Sequence, residues 1–442
     1  MSTSAVRNDT TASPGGNRWL ILVAGVLVQL AIGAVYAWSV FAKAIQSHDA
    51  FGWSKAQASV PFEVAIGMIF IGSYIGGRIQ DRRGPRTVAL TGGVIYSLGV
   101  ILASFAGKDQ FWLLILGYGI LGGFGLGMAY IVPIAMLQKW FPDKPGLITG
   151  IAVAGFGFGA VITAPLGQRL IAADPSVPTK AFLPLGIGYL VAVVIGASLF
   201  RNPPAGYVPP GMVAADADHA VEAHTKDAAP EADFTAAEAL GTRQWYFLTA
   251  ILTLSVTAGI SLISVAAGSA SDVAGYSAAA AASLVGVLGL FNGGGRILWG
   301  WLSDRIGKMP AFMGILGIQG VCLLLIPHVA SPILFAVLAA LVYTCYGGAF
   351  GTMPSTAGRF FGVRNAGAIY GLMLIGWSLG GIVGPLLISS LIGEQKAYTL
   401  GFTVVGIIAL VGMALPLITK KPAPRTGTSS ASGAPTAPAG RH

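Results

Sequence analysis

The chain has 442 residues, of which 54% are hydrophobic and only 10% charged, with a mean hydropathy of +0.74. A soluble domain carries about 25% charged residues, so this composition excludes soluble barrels and doubly wound enzymes and places the chain among multi-pass membrane proteins. The formal net charge of +9 does not argue for nucleic acid as a partner, because the basic residues form short clusters between apolar runs, which is a topology signal.

In chain order, the stretch through Arg18 is polar and carries Pro14-Gly15-Gly16, which predicts disorder. Windows of about 20 apolar residues then give six spans, roughly Trp19 to Phe41, Ala58 to Gln80, Thr87 to Ala106, Phe111 to Gln138, Gly146 to Ile171 and Ala181 to Phe200. The first has no small-residue cleavage site after it and reads as a retained span. From residue 201 to 243 the composition turns to proline, alanine and acid, with seven acids between Asp216 and Glu238, which predicts a linker between two halves. Spans seven to twelve run roughly Trp245 to Gly268, Ala279 to Leu302, Pro310 to His328, Pro332 to Ser355, Asn365 to Leu391 and Ala397 to Thr419. The residues from Lys420 to His442 read as a second disordered tail. Cys322 and Cys345 lie in apolar runs and have neither the number nor the spacing for a metal site or disulfide framework. No cofactor is called for.

Twelve spans put both termini on one side. Of the 26 basic residues, nineteen fall on that side and six opposite, so the positive-inside rule makes the termini and linker cytoplasmic in a cell (inner or plasma) membrane. The halves also repeat. Gly77-Arg78-Ile79-Gln80-Asp81-Arg82-Arg83-Gly84 after span two answers Gly300-Trp301-Leu302-Ser303-Asp304-Arg305-Ile306-Gly307 after span eight. Lys139-Trp140-Phe141 answers Arg359-Phe360-Phe361, and Pro165 in span five answers Pro385 in span eleven. Three matches in nearly one frame indicate a duplicated six-span unit.

One charge breaks the pattern. Arg296 lies in Leu284 to Trp301, a run otherwise apolar or glycine but for Asn292, and on a helix it stands roughly 12 Å in from Asp304. Burying a guanidinium at that depth costs about 2.5–3.5 kcal/mol on insertion scales, so the group is expected to face a cavity and bind an anion. Its planar fork suits a carboxylate and stays charged at any physiological pH. Tyr343, Tyr346 and Phe350 share one face of span ten. No nucleophile with a base, acid pair or metal cluster stands at depth, so an enzyme is not expected.

The repeated G-x-x-x-D-R-x-G signal resembles the loop signature of major facilitator transporters, whose binding site lies at midplane between two six-helix halves. Finer features are Gly33-Ala34-Val35-Tyr36-Ala37-Trp38-Ser39, Lys139-Trp140-Phe141-Pro142-Asp143-Lys144-Pro145-Gly146, Asn292-Gly293-Gly294-Gly295-Arg296 and Pro354-Ser355-Thr356. With these the chain resembles the oxalate:formate antiporter family, which includes bacterial monocarboxylate carriers. The resemblance implies an all-α fold of twelve transmembrane helices in two pseudo-symmetric bundles. It implies carboxylate binding at Arg296, with aromatic residues Tyr36, Tyr130, Phe156, Tyr346 and Phe350 lining the cavity. Where the oxalate carrier has a second intramembrane cation, this chain places Trp377. Asn292 stands one turn before Arg296, where animal proton-coupled carriers have an acid. Asp81, Arg82, Arg83, Arg86, Asp304, Arg305 and Lys308 are expected to lock a cytoplasmic gate by pairing with helix ends across the halves. The expected function is alternating-access transport of a singly charged carboxylate such as formate, lactate or pyruvate, by exchange with a counter-anion or cotransport with a proton. Oxalate:formate exchange is the alternative, and a transport-derived sensor a further one.

Overall fold

In a computed structural model, residues 17–204, 207–209, 233–393, 395 and 397–422 are described. The expected disorder before residue 17, the linker stretch 210–232 and the tail after 422 lie outside these residues. Among the described residues the regular structure is entirely helical. Twelve elements cross the apolar layer: α1 (Arg18–Gln46), α2 (Gln57–Arg83), α3 (Pro85–Ala103), α4 (Phe111–Trp140), α5 (Pro145–Ala173), α6 (Pro178–Ser198), α7 (Arg243–Ala274), α9 (Lys308–His328), α10 (Pro332–Phe361), α11 (Ala366–Ile392) and α12 (Tyr398–Ile418) are each long and apolar enough to span a bilayer, and α8 (Ala278–Ile306) carries Arg296.

Several helices outrun their hydropathy windows. α8 continues to Ile306 and α10 to Phe361, because an apolar window marks the bilayer while the backbone keeps its hydrogen bonds into the polar layer. The repeated charged motif is therefore helical through its aspartate, and Asp81 and Asp304 ride on the last turns of α2 and α8. Its final glycine makes the turn. Gly84 and Gly307 have φ of +86° and +93°, a region an L side chain enters only with strain, and each hands the chain straight into the next helix.

Several helices depart from α geometry, three of them where they pass or approach the centre of the molecule. α1 passes through a 3-10 segment at Gly33–Ala37, α4 through a π-helical one at Ile115–Gly122, and α11 breaks at Leu374. At the first, a Cβ on Gly33 would sit 2.0 Å from the Phe156 carbonyl oxygen, so α1 can approach α5 this closely only with glycine.

The linker's described ends are packed rather than free of the body. Trp140 Nε1 donates to the Arg201 carbonyl at 2.7 Å, and the Trp140 and Tyr207 rings meet edge to face. Before α7, the Phe234 amide donates to the Phe361 carbonyl, Asn365 Nδ2 donates to the Phe234 carbonyl, and a helical turn Ala236–Leu240 carries a Thr235/Glu238 capping box. Composition alone could not show this, since the apolar surface these residues cover belongs to α4 and α10.

The halves meet closely toward the face that carries the termini. There α5 crosses α8, with Gly146 against Gly300 and Gly150 against the Arg296 carbonyl, and α2 crosses α11, with Gly77 against Gly367 and Ser73 against Gly371. These contacts continue up to Ser378, whose hydroxyl donates to the Ile66 carbonyl. The molecule is thus closed on its terminal face.

Candidate binding site between the halves

Arg296 has no solvent exposure. Its Nε donates to Asn292 Oδ1 one turn earlier at 3.5 Å, and its Nη1 donates to the Val153 carbonyl of α5 at 3.1 Å, across the interface between the halves. Nη2 is buried with no hydrogen-bond partner. No carboxylate among the described residues pairs with it. A guanidinium has five N–H donors, so two engaged leave three, one on Nη1 and two on Nη2, arranged for an end-on grip on two oxygens.

Aromatic rings enclose this cation. The guanidinium carbon stands 5.7 Å from the Phe156 centroid and 5.2 Å from that of Phe350. Phe156 meets Tyr36 at 5.1 Å and Tyr130 at 5.0 Å, while Trp377 lies 5.1 Å from Phe350 and 6.0 Å from both Tyr130 and Phe156. Tyr346 joins through Phe350 at 5.4 Å. Cation–π attraction over two faces offsets part of the cost of desolvating the arginine. The rings otherwise supply an apolar wall from both halves.

All eight residues expected at the site, Tyr36, Tyr130, Phe156, Asn292, Arg296, Tyr346, Phe350 and Trp377, fall in this one cluster. Local structure holds them there. The 3-10 break carries Tyr36, Gln29 Nε2 fixes the Tyr130 backbone to α1 through a 3.0 Å bond, and Gly157 leaves room for Arg296 Nε, which would lie 3.4 Å from a Cβ at that position. Tyr343 does not join the cluster. It belongs to a separate buried group with Phe335 and Phe402.

Sequence reasoning missed two members. Tyr370 on α11 is buried. It neighbours the Tyr130 hydroxyl and lies within electrostatic reach of Arg296 and Tyr36. The sequence signal was partial: Tyr370 stands seven residues before Trp377, a spacing that shares a face on an unbroken helix, but α11 breaks at Leu374 between them. The Val153 carbonyl had none, because a backbone acceptor leaves no mark in the sequence.

On the terminal face, of the seven residues expected at a gate, only the two aspartates reach helix ends across the halves. Asp304 accepts from the Gly146 and Leu147 amides at the start of α5, at 3.1 and 3.0 Å. Asp81 accepts from the Ala368 amide at the start of α11 at 3.0 Å. A carboxylate satisfies amide hydrogens that a helix start leaves unpaired, and meets the positive end of its dipole. The bases act differently. Lys308 Nζ binds Asp304 at 2.7 Å within its own half, Arg305 stacks on Trp301 at 4.0 Å, and Arg82, Arg83 and Arg86 are exposed. Helix starts present donors only, so they recruit the acids and not the arginines.

Residues 19–385 match the model of the Major Facilitator Superfamily. The chain is similar to the oxalate:formate antiporter of Oxalobacter formigenes, at 27% identity over 90% of this chain and 91% of that one. It is also similar to monocarboxylate transporter 13 of Rattus norvegicus, at 29% identity over 91% of this chain and 89% of that one. Among solved structures, the E. coli fucose:proton symporter FucP superposes with a TM-score of 0.69 at 15% identity, covering 92% of this chain and 98% of that one, a likeness of fold. With its twelve helices in two pseudo-symmetric bundles and a model match over most of its length, the chain belongs to the major facilitator superfamily.

Proposed function

We propose that this protein is a secondary transporter for a small monocarboxylate, bound at Arg296 and carried by alternating access across the cell membrane with both termini cytoplasmic. The observation that carries the reading is Arg296 Nη2, a charged donor buried without a partner between the halves. Such a group is costly unless something passing through neutralises it. Tyr36, Tyr130, Phe156, Tyr346, Phe350 and Trp377 form the apolar wall, and Asn292 steadies the guanidinium. Similarity to carriers named for oxalate, formate and monocarboxylates supports the chemical class.

Charge balance supports one negative charge on the substrate. The ring cluster supplies one cation, and Trp377 packs on Phe350 and Phe156 with no charge to offer. A dianion would leave about one charge uncompensated in a medium of low dielectric constant, costing several kcal/mol. Asp81 and Asp304 close the cytoplasmic gate while the site is out of reach from that side.

The test is uptake of labelled lactate or formate into liposomes containing the purified protein. Arg296→Lys loses the two-oxygen grip and the Val153 anchor, a loss of about 1.5–3 kcal/mol, so uptake falls roughly ten- to hundredfold. Near-normal uptake by Arg296→Gln would overturn the proposal. A counterflow panel of oxalate, formate, lactate and pyruvate at two external pH values separates anion exchange from proton cotransport.

A further inference from the structure

The helix start that receives Asp81 is capped by the opposite half of the molecule, although its own sequence supplies a cap. Asn365 stands immediately before α11 and is among the best capping residues: a side-chain oxygen there ordinarily accepts the amide of the second or third helical residue, Gly367 or Ala368. It makes no such bond, and its backbone sits at φ −109° and ψ 23°, away from the extended conformation a cap prefers. Its Nδ2 donates instead to the Phe234 carbonyl at 2.7 Å. The Ala368 amide goes to Asp81 at 3.0 Å. One amide thus has two claimants, and only the one distant in sequence holds it.

What restrains Asn365 is the described end of the linker. Phe234 is buried, its ring meets that of Phe361 at 5.5 Å, and its amide donates to the Phe361 carbonyl at 2.9 Å. Asp233 Oδ1 accepts the Arg364 amide at 3.2 Å. Residues 233 and 234 are thus strapped along the turn 361–365 that leads into α11. The start of α5 needs no such restraint. Its capping position is Lys144, whose side chain has no acceptor, and Pro145 follows, so the Gly146 and Leu147 amides reach Asp304 without a local rival.

We infer that Phe234, steadied by Asp233, is a positioning residue that keeps Asn365 from capping its own helix, so that the end of the linker sets how firmly Asp81 closes the terminal face. The inference rests on the gate reading of Asp81. When the strap leaves the turn, Asn365 loses its acceptor, turns back over α11 and takes the Ala368 amide. Asp81 is then a half-buried carboxylate short of its donor, and the closed state weakens. A pull on the linker reaches the gate through one side-chain rotation.

The experiment measures the distance between spin labels at Arg86 and Ile306, both exposed on the terminal face and outside the strap, in reconstituted protein. The variants are Phe234→Ala, Asn365→Ser, Asn365→Ala and the double variant Phe234→Ala with Asn365→Ala. Serine caps a helix well but is too short to reach the Phe234 carbonyl, and alanine does neither. Phe234→Ala and Asn365→Ser should each lower the ratio of closed to open molecules roughly five- to thirtyfold, the contribution of the Asp81 bond, and add a longer distance component. Asn365→Ala should stay near wild type, and in its background Phe234→Ala should have no further effect. A merely structural strap would open the gate in Phe234→Ala with or without Asn365, and would make serine and alanine at position 365 behave alike; either result overturns the inference. The two substitutions at position 365 decide it even where Phe234→Ala folds poorly. If Asp81→Asn lengthens the distance while Asn365→Ser does not, the inference falls and the gate reading stands; if Asp81→Asn changes nothing, both fall.

Discussion

Asp304 offers the most quantitative handle on how the terminal face is held shut. Its carboxylate accepts two amide hydrogens from the start of α5, and Asp304→Asn removes the charge while keeping one neutral acceptor. Hydrogen bonds to a charged group contribute about 1.5–3 kcal/mol each and neutral ones about 0.5–1.5, so the closed state loses about 2–4 kcal/mol. That is a factor of roughly 30 to 1,000 in the ratio of closed to open molecules. Lys308 complicates the variant, because it is buried against the same carboxylate and is left with only the Ser303 hydroxyl to offset its charge. Asp81 has no lysine bonded to it and makes one amide bond, so Asp81→Asn gives a cleaner and smaller shift, about 1–2 kcal/mol or roughly five- to thirtyfold. Spin labels at Arg86 and Val363, both exposed on the terminal face, report the separation of the halves. The native cysteines do not interfere because both are buried. The distance distribution should gain a longer component in Asp304→Asn and a weaker one in Asp81→Asn. If both variants keep the wild-type distribution, the carboxylates do not hold the gate and the reasoning fails.

The glycines separate closure from folding. Gly300→Ala places a Cβ 2.4 Å from the Gly146 carbonyl oxygen in the opposite half, so it should lengthen the same spin-label distance. Gly295→Ala places one 2.1 Å from the Thr344 carbonyl oxygen within its own half and should lower the melting temperature instead, in line with an overpacking cost of about 1–3 kcal/mol. Charge balance makes a further prediction: oxalate should compete poorly for lactate counterflow in wild type, and competition equal to that of formate would show that one cation is not the limit on substrate charge.

Composition, periodicity and repetition already determined much of this protein. The scarcity of charge required a membrane fold, and apolar windows located twelve spans because every backbone polar group in lipid must be satisfied within a helix. The repeated motif required two like halves, and the solitary Arg296 marked the centre, since a charge in lipid is retained only for a reason. Side chains of special cost, a buried cation or a glycine where a turn needs positive φ, are legible because few other residues can stand in their place. Only the tertiary structure decided what these groups meet. It paired Arg296 with the Val153 carbonyl, brought Tyr370 up to Tyr130, and sent Asp81 and Asp304, but not their neighbouring arginines, to helix ends 287 and 157 or 158 residues away. Those partners are backbone groups or residues of the opposite half. Hydropathy and periodicity record which face of a helix is apolar, whereas the register between two helices distant in sequence is set by the close approach of their backbones at small residues, and that is a property of the packed pair.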